Sequence, residues 1–174
     1  MIEWRTKNTL MGILLYVIST IFVCYITFNS IVDIPTWNAL FWIIILFAAV
    51  NGVSKGFLQE SKGRQLYYYS LASAEAVIIA KIVYNCALMV LLSLISVVFY
   101  CLFLSNPIED IPWFLLCLII GSTGLAALFT LISAIAHKAG NSGVLVAVLG
   151  FPIVLPLMMV LIKLSEFSIE GIQR

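Results

Sequence analysis

Charged side chains are scarce in this sequence of 174 residues. They make up 10% of the chain, whereas hydrophobic residues make up 63%, and the mean hydropathy is +1.16. A soluble globular domain is about a quarter charged and about half apolar, so this composition excludes one. The formal net charge is only +1. Proteins that bind nucleic acid usually carry an excess of Lys and Arg, and nucleic acid is therefore not an expected partner.

Motifs for catalysis and cofactor binding are also missing. The sequence has no GxxxxGK[ST] phosphate-binding loop, and its four cysteines lie inside apolar runs without forming CxxC or CxxCH. The sequence shows no Ser/His/Asp set around its one histidine, His137. Beside Lys138, a histidine at a membrane surface is more often a solvated turn residue than a haem or metal ligand. We therefore expect no catalytic residue, no metal site and no cofactor bound by this chain.

Five long apolar runs dominate the sequence. Each is close to the 20 residues that a helix needs to cross a bilayer, and none shows the alternation of a barrel strand. The sequence therefore predicts an all-α polytopic transmembrane helix bundle that forms a single domain over residues 1–174. The predicted spans are residues 10–28, 37–53, 77–104, 113–136 and 144–164. Trp37 and Trp42, near the start of the second span, are expected to be interfacial aromatics.

The distribution of basic residues predicts the orientation in the membrane. Cytoplasmic loops carry the excess of Lys and Arg. A cytoplasmic amino terminus places all but Lys163 and Arg174 of the nine basic residues inside, whereas the opposite orientation reverses this bias. We therefore expect a multi-pass protein of the membrane with its amino terminus in the cytoplasm.

The longest polar interruption, Gly52–Lys81, lies between the second and third spans. It carries four of the nine basic and two of the eight acidic residues. A connection between two helices needs only a handful of residues, so this length, with aromatic residues among the charges, favours docking of a soluble partner. A solvated loop is the alternative. We predict a coupling stretch at residues 54–76, and the predicted docking residues are Glu60, Lys62, Gly63, Arg64 and Lys81.

Two further patterns concern packing of the helices. Small residues in the fourth span begin with Gly121 and Gly124, and they fit either packing within the bundle or an interface with a partner subunit. Pro152 and Pro156 in the fifth span free backbone carbonyls, so they mark either a hinge or a fixed bend. These four residues are the predicted packing or hinge positions.

Two segments resemble the haem exporter protein B family, CcmB, of cytochrome c maturation. The first is FLQE at residues 57–60, followed by Gly63, Leu66 and Ala80–Lys81, which resembles the loop after the family's second span. It departs by one residue, because Gly63 follows Glu60 by three positions and not four. The second is residues 121–159, which resemble the family's fourth span, short basic turn and fifth span with P-x-x-x-P.

The resemblance implies a permease subunit of an ABC transporter complex in the bacterial inner membrane, with a fold like that of ABC-2-type exporters. ATP would be hydrolysed by a separate cytoplasmic CcmA-like subunit. The other implied partners are a haem-handling CcmC-like membrane protein, a small CcmD-like protein and a CcmE-like haem chaperone, whose haem-loaded form is released; haem is the cargo of the complex. The alternatives are an ABC-2-type permease for a lipid, polysaccharide or drug, and a non-transporting membrane scaffold.

The sequence departs from the family pattern at both ends. Family members usually have six spans and an amphipathic stretch before the first. Here the residues MIEWR lead almost directly into the first span, and five spans are present before Arg174. The resemblance therefore implies a chain shortened at both ends.

Overall fold

The computed structural model describes residues 2–28, 32–58, 74–138 and 142–171. These residues form five α-helices. In chain order the helices are α1 (Ile2–Phe28), α2 (Ile34–Leu58), α3 (Ala74–Leu104), α4 (Ile111–Lys138) and α5 (Ser142–Ile169). Each contains a segment long and apolar enough to span a membrane. The prediction of an all-α, five-span bundle is therefore confirmed.

Two aspartates fix where α2 and α4 begin. The Asp33 carboxylate accepts a hydrogen bond from the Thr36 amide at 3.4 Å, and the Asp110 carboxylate accepts one from the Trp113 amide at 3.2 Å. Aspartate is a favourable N-cap because its oxygen satisfies an amide that has no partner within the helix. The side-chain hydrogen bond with Thr36 is the main cause that lowers the pKa of the exposed Asp33 below its ordinary value.

The helices are longer than the apolar runs that predicted them. The capping by Asp33 lets α2 begin at Ile34, three residues before the predicted span, and α5 continues to Ile169, five residues past its predicted end at 164. The extra turn of α5 is amphipathic, since Ser165, Ser168 and Ile169 are buried. A hydropathy window misses this turn because its serines lower the average although they face the protein.

Helix α4 lies at the centre of the bundle with α2 beside it. Among the described residues, α4 packs against α2, α3 and α5, whereas α1 packs only against α2 and α3. Half of the spanning residues of α2 and of α4 are buried, compared with 17% of those of α1. The core therefore lies around α2 and α4, and α1 is a peripheral helix.

The outer faces of the helices are apolar. Large side chains such as Leu15, Leu102 and Met159 are more than half exposed. Lipid is the medium in which such a surface is stable, because water would penalise roughly 25 cal/mol for each Å² of apolar surface exposed. The fold thus matches a protein whose helices are solvated by a bilayer.

The two ends of the bundle are called the capped end and the stretch end. The capped end is where α2 and α4 begin at Asp33 and Asp110. The stretch end is where α2 ends at Leu58 and α3 begins at Ala74, on either side of residues 59–73.

Candidate interhelical site

A buried polar network joins α2 to α5 near the capped end. The Trp42 indole N–H donates to Ser165 Oγ at 2.8 Å, and the Asn38 amide Nδ2 donates to the backbone carbonyl of Ile162, also at 2.8 Å. Ser165 Oγ lies 2.8 Å from Asn38 Oδ1 and 2.8 Å from the carbonyl of Leu161. Asn38, Trp42 and Ser165 are almost completely buried.

Hydrogen-bond chemistry fixes the orientation of this network. The single hydroxyl proton of Ser165 can go to Asn38 or to its own helix, but not to both at once. Turning the Asn38 amide over would face its oxygen toward the Ile162 carbonyl and leave two acceptors opposed. Nδ2 therefore faces the Ile162 carbonyl and Oδ1 faces Ser165. The network sets the register of α2 on α5, because unpaired polar groups are costly in a low-dielectric interior.

The ring of Trp42 also packs against the backbone of α4 at Gly121. A Cβ atom at Gly121 would lie 2.5 Å from Trp42 Cη2, 2.8 Å from Trp42 Cζ3 and 2.9 Å from Leu161 Cδ2. Real Cβ atoms essentially never come so close to a ring carbon. Glycine is therefore required for α2, α4 and α5 to meet at this point.

An aromatic cluster next to this network holds α2, α3 and α4 together. Its members are Trp37, Phe41, Tyr100 and Phe114. The centroid of Tyr100 lies 4.8 Å from that of Trp37 and 5.4 Å from that of Phe41, which lies 5.7 Å from Phe114. The Tyr100 hydroxyl donates to the Trp37 carbonyl at 3.0 Å. Such edge and tilted contacts are the arrangement that aromatic rings prefer.

The expectation that Trp37 and Trp42 are interfacial aromatics is wrong. Their exposed fractions are 1% and 0%. The reason is that both rings point into the bundle, where Trp42 finds a hydrogen-bond acceptor in Ser165 and Trp37 packs on Phe41. Trp37 Nε1 itself is buried without a partner among the described atoms.

A second, smaller set of polar contacts joins α3 to α4. Asn85 Nδ2 donates to Thr130 Oγ1 at 2.9 Å, and the Cys86 thiol donates to the Thr123 carbonyl at 3.6 Å. The described part of the chain contains no cluster of His, Cys, Asp or Glu suited to a metal ion. The contacts of Asn85 and Cys86 therefore join helix to helix, whereas the buried Ser96 donates to a carbonyl of its own helix.

Of the predicted packing or hinge residues, the two glycines lie inside the bundle and the two prolines are exposed. Gly121 is buried at the crossing of α2, α4 and α5, and Gly124 is half-buried, with Leu157 of α5 as its nearest neighbour. The neighbouring Ser122, Thr130 and Ser133 are also buried, so most of the small-residue face lies inside the bundle. Pro152 and Pro156 are exposed on α5, which stays helical through both. A hinge or a fixed bend there stays a prediction.

Four of the predicted docking residues, Glu60, Lys62, Gly63 and Arg64, lie outside the described residues. The fifth, Lys81, is half-buried and is the eighth residue of α3, near the stretch end. Asn38, Asn85 and Ser165, which form hydrogen bonds between helices, are not among the residues predicted from the sequence.

The sequence does indicate them, because each is a polar residue in or beside an apolar run. Such a residue needs a hydrogen-bond partner within the bilayer.

Comparison with known proteins gives one match. A protein-family model described as CcmB protein matches residues 2–173 of the chain. The search of curated proteins and the search of solved structures gave no match.

Proposed function

This chain belongs to the CcmB family, and on that basis we propose that it couples ATP hydrolysis by a separate subunit to the release of a haem-loaded chaperone. Membership makes it a multi-pass membrane component of the haem exporter for cytochrome c maturation. It is a permease subunit of a complex that contains other membrane and ATPase components. The coupling, the chaperone and the identity of each partner are the proposal.

The observation that carries the coupling role is the position of the stretch between α2 and α3. The sequence between these helices is long and charged, and α2 packs against every other helix of the bundle. A force applied to the connection would therefore reach the whole core through α2. The sequence has no phosphate-binding loop, and this accords with hydrolysis of ATP by another subunit.

The proposed partners follow from the family. A CcmA-like ATPase binds at the stretch end with ATP, and CcmC-like and CcmD-like membrane proteins complete the complex that acts on a CcmE-like haem chaperone. Haem is cargo of this complex and not a cofactor of the chain. The Lys and Arg bias supports an amino terminus in the cytoplasm, which puts the stretch end on the same side as the ATPase in a bacterial inner membrane.

The test is reversal of one charge in the stretch. Glu60 lies in sequence among Lys55, Lys62 and Arg64, and loss of a partly buried ion pair with the ATPase costs roughly 3–5 kcal/mol, against roughly 0–1 kcal/mol for an exposed one. We expect Glu60→Lys to insert normally, to lower cytochrome c maturation sharply, and either to weaken co-purification of the ATPase or to uncouple its ATP hydrolysis.

The matched control is Glu170→Lys. It makes the same charge change at an exposed residue of the capped end, and maturation should be close to normal. Complementation of a deletion strain and a parallel pull-down of the ATPase measure both variants. Normal maturation with normal ATPase binding in Glu60→Lys would contradict the coupling role.

A further inference from the structure

One exposed face of α5 carries both of its prolines. Exposed residues recur there at steps of three or four and form a line that we call the proline stripe: Val148, Pro152, Pro156, Met159 and Lys163. Since successive residues of a helix are about 100° apart, this stripe lies opposite the buried Gly150, Val154 and Leu161. Among the described residues, α2 and α4 are the helices that pack against α5, and they cover that opposite face.

The two prolines leave two backbone carbonyls without their helical partners. Proline has no N–H, so the carbonyl four residues earlier loses its hydrogen bond. In α5, which stays helical through both prolines, these are the carbonyls of Val148 and of Pro152 itself. Each proline ring also crowds the carbonyl four residues before it, so that oxygen tilts away from the helix axis. Both acceptors therefore open onto the proline stripe.

The described part of the bundle supplies no donor for these two acceptors. No described side chain donates a hydrogen bond to the carbonyl of Val148 or Pro152, and the donors of α2 that reach α5 do so at Ile162 and Ser165, near the capped end. Helix α5 has no serine or threonine of its own between Ser142 and Ser165. A side chain that pairs with these carbonyls must therefore come from outside this set of helices.

The depth of the two acceptors in the membrane makes them costly. Helix α5 has 28 residues, so at 1.5 Å per residue Val148 and Pro152 lie within about 11 Å of its middle. The hydrocarbon core extends about 15 Å to either side of the bilayer centre, and no water replaces the lost partners there. Only Lys163, near the capped end, has a side chain long enough to reach the headgroups. In hydrocarbon, a neighbouring helix is a usual source of the donor that a proline-freed carbonyl needs.

We propose that the proline stripe docks a transmembrane helix of another membrane subunit, whose Ser or Thr hydroxyls donate to the carbonyls of Val148 and Pro152. Because these carbonyls are four residues apart, the partner helix needs two donors three or four residues apart. The steps from Pro152 through Pro156 and Met159 to Lys163 are four, three and four, the spacing of a seam between two helices. The identity of the subunit rests on the proposed function, since the family forms a complex with other membrane components.

Photo-cross-linking at two neighbouring residues tests which face of α5 binds. A benzophenone amino acid is placed either at Met159, on the proline stripe, or at Val160, about 100° away around the helix. The two residues are 65% and 55% exposed, so they are matched in access. In cells that assemble the complex, the probe at Met159 should cross-link to a membrane subunit, in a transmembrane helix with Ser or Thr residues three or four apart. The probe at Val160 should give little of that product.

Restoring the missing amides tests the hydrogen bonds. Pro152→Ala and Pro156→Ala each supply an N–H, so the carbonyl four residues earlier is satisfied within α5 and the partner loses a bond. At the usual strength of interhelical hydrogen bonds in membranes, the Kd for the cross-linked subunit should rise about threefold for each change and about sevenfold for both. Unfolding of the chain alone by SDS should be no easier, since alanine is the better helix former. The matched control is Pro112→Ala, which should change neither, because the exposed Pro112 is the second residue of α4, where an amide has no helical partner.

The outcomes separate the docking surface from the proposed function. Cross-links of Met159 to lipid alone or to a second copy of the chain, or equal cross-linking at Val160, would overturn the docking surface. An unchanged Kd in the double proline variant would overturn it too. A chain that supports cytochrome c maturation without the Met159 cross-link contradicts the docking surface alone. Normal maturation in Glu60→Lys would instead contradict the proposed function, and it leaves the Met159 cross-link as the measure of the docking surface.

Discussion

Replacing Gly121 by alanine should destabilise the bundle, although alanine is the better helix former. The added Cβ would lie 2.5 Å from Trp42 Cη2 and 2.9 Å from Leu161 Cδ2. The Trp42 ring cannot move aside easily, because it is fully buried, is held at Ser165 by its N–H and packs edge-on against Phe41 with centroids 5.8 Å apart. The helices must therefore separate at their crossing.

The magnitude follows from two opposing effects. Overpacking of a well-packed interior costs about 1–3 kcal/mol. Removing glycine from a helix interior returns about 1 kcal/mol through lower backbone entropy and better propensity. We expect a net loss of up to about 2 kcal/mol, with the larger part coming from the Trp42 contact.

Gly124→Ala is the matched control for this prediction. It is the same substitution one turn away on α4, where the added Cβ would contact only Leu157 Cδ1 at 4.0 Å. It should be neutral or slightly stabilising. The double variant Gly121→Ala, Trp42→Phe should recover part of the loss, since the contacting ring atoms Cη2 and Cζ3 are absent from phenylalanine.

The measurement is unfolding of the purified protein by SDS in mixed micelles, read by tryptophan fluorescence or by resistance to proteolysis. A double-mutant cycle on Gly121 and Trp42 isolates their interaction from the separate effects of each change. The reasoning would be refuted if Gly121→Ala were as stable as the parent, or if Gly124→Ala lost as much.

Three other predictions are tested separately. A cysteine at Glu109 should react with a membrane-impermeant thiol reagent in intact cells and one at Lys62 should not; the reverse pattern would invert the orientation. A double-mutant cycle of Asn85→Ala and Thr130→Ala should give a coupling of about 0.6 kcal/mol, the usual size for interhelical hydrogen bonds in membranes, and zero coupling would show that the bond is not formed. The purified chain alone should neither hydrolyse ATP nor retain haem, and stoichiometric haem lost in His137→Ala would make that residue a ligand.

The existence and number of the spans could be predicted because a bilayer admits few solutions. A run of about 20 apolar residues must form a helix there, since every backbone amide needs an internal partner. The predicted ends of the helices are less accurate than their number. Asp33 and Ser165 are polar and so fall outside the predicted spans, yet one caps α2 and the other is buried in α5.

The direction of the tryptophan side chains could not be read from position alone. Trp37 and Trp42 lie close to the end of their helix, where aromatic residues commonly meet the headgroups. A helix that contacts all the others has little surface left for lipid, however, and α2 is such a helix. The packing of a whole bundle, rather than the depth of a residue in the membrane, decides whether an aromatic residue faces lipid or protein.

The partners of the buried polar residues could be predicted in part from the sequence. Consecutive spans run in opposite directions, so α2 and α5 are antiparallel. A residue of α2 therefore lies at the same depth as a residue of α5 when its distance from the start of α2 equals the other residue's distance from the end of α5. Asn38 lies four residues after the start of α2, and Ser165 lies four before the end of α5; at 1.5 Å per residue both are about 6 Å deep. Their equal depth in the membrane therefore makes Ser165 a candidate hydrogen-bond partner for Asn38. Adjacency of α2 and α5 is the remaining fact, and Gly121 of α4 permits it, because its missing side chain leaves room for Trp42 of α2 and Leu161 of α5.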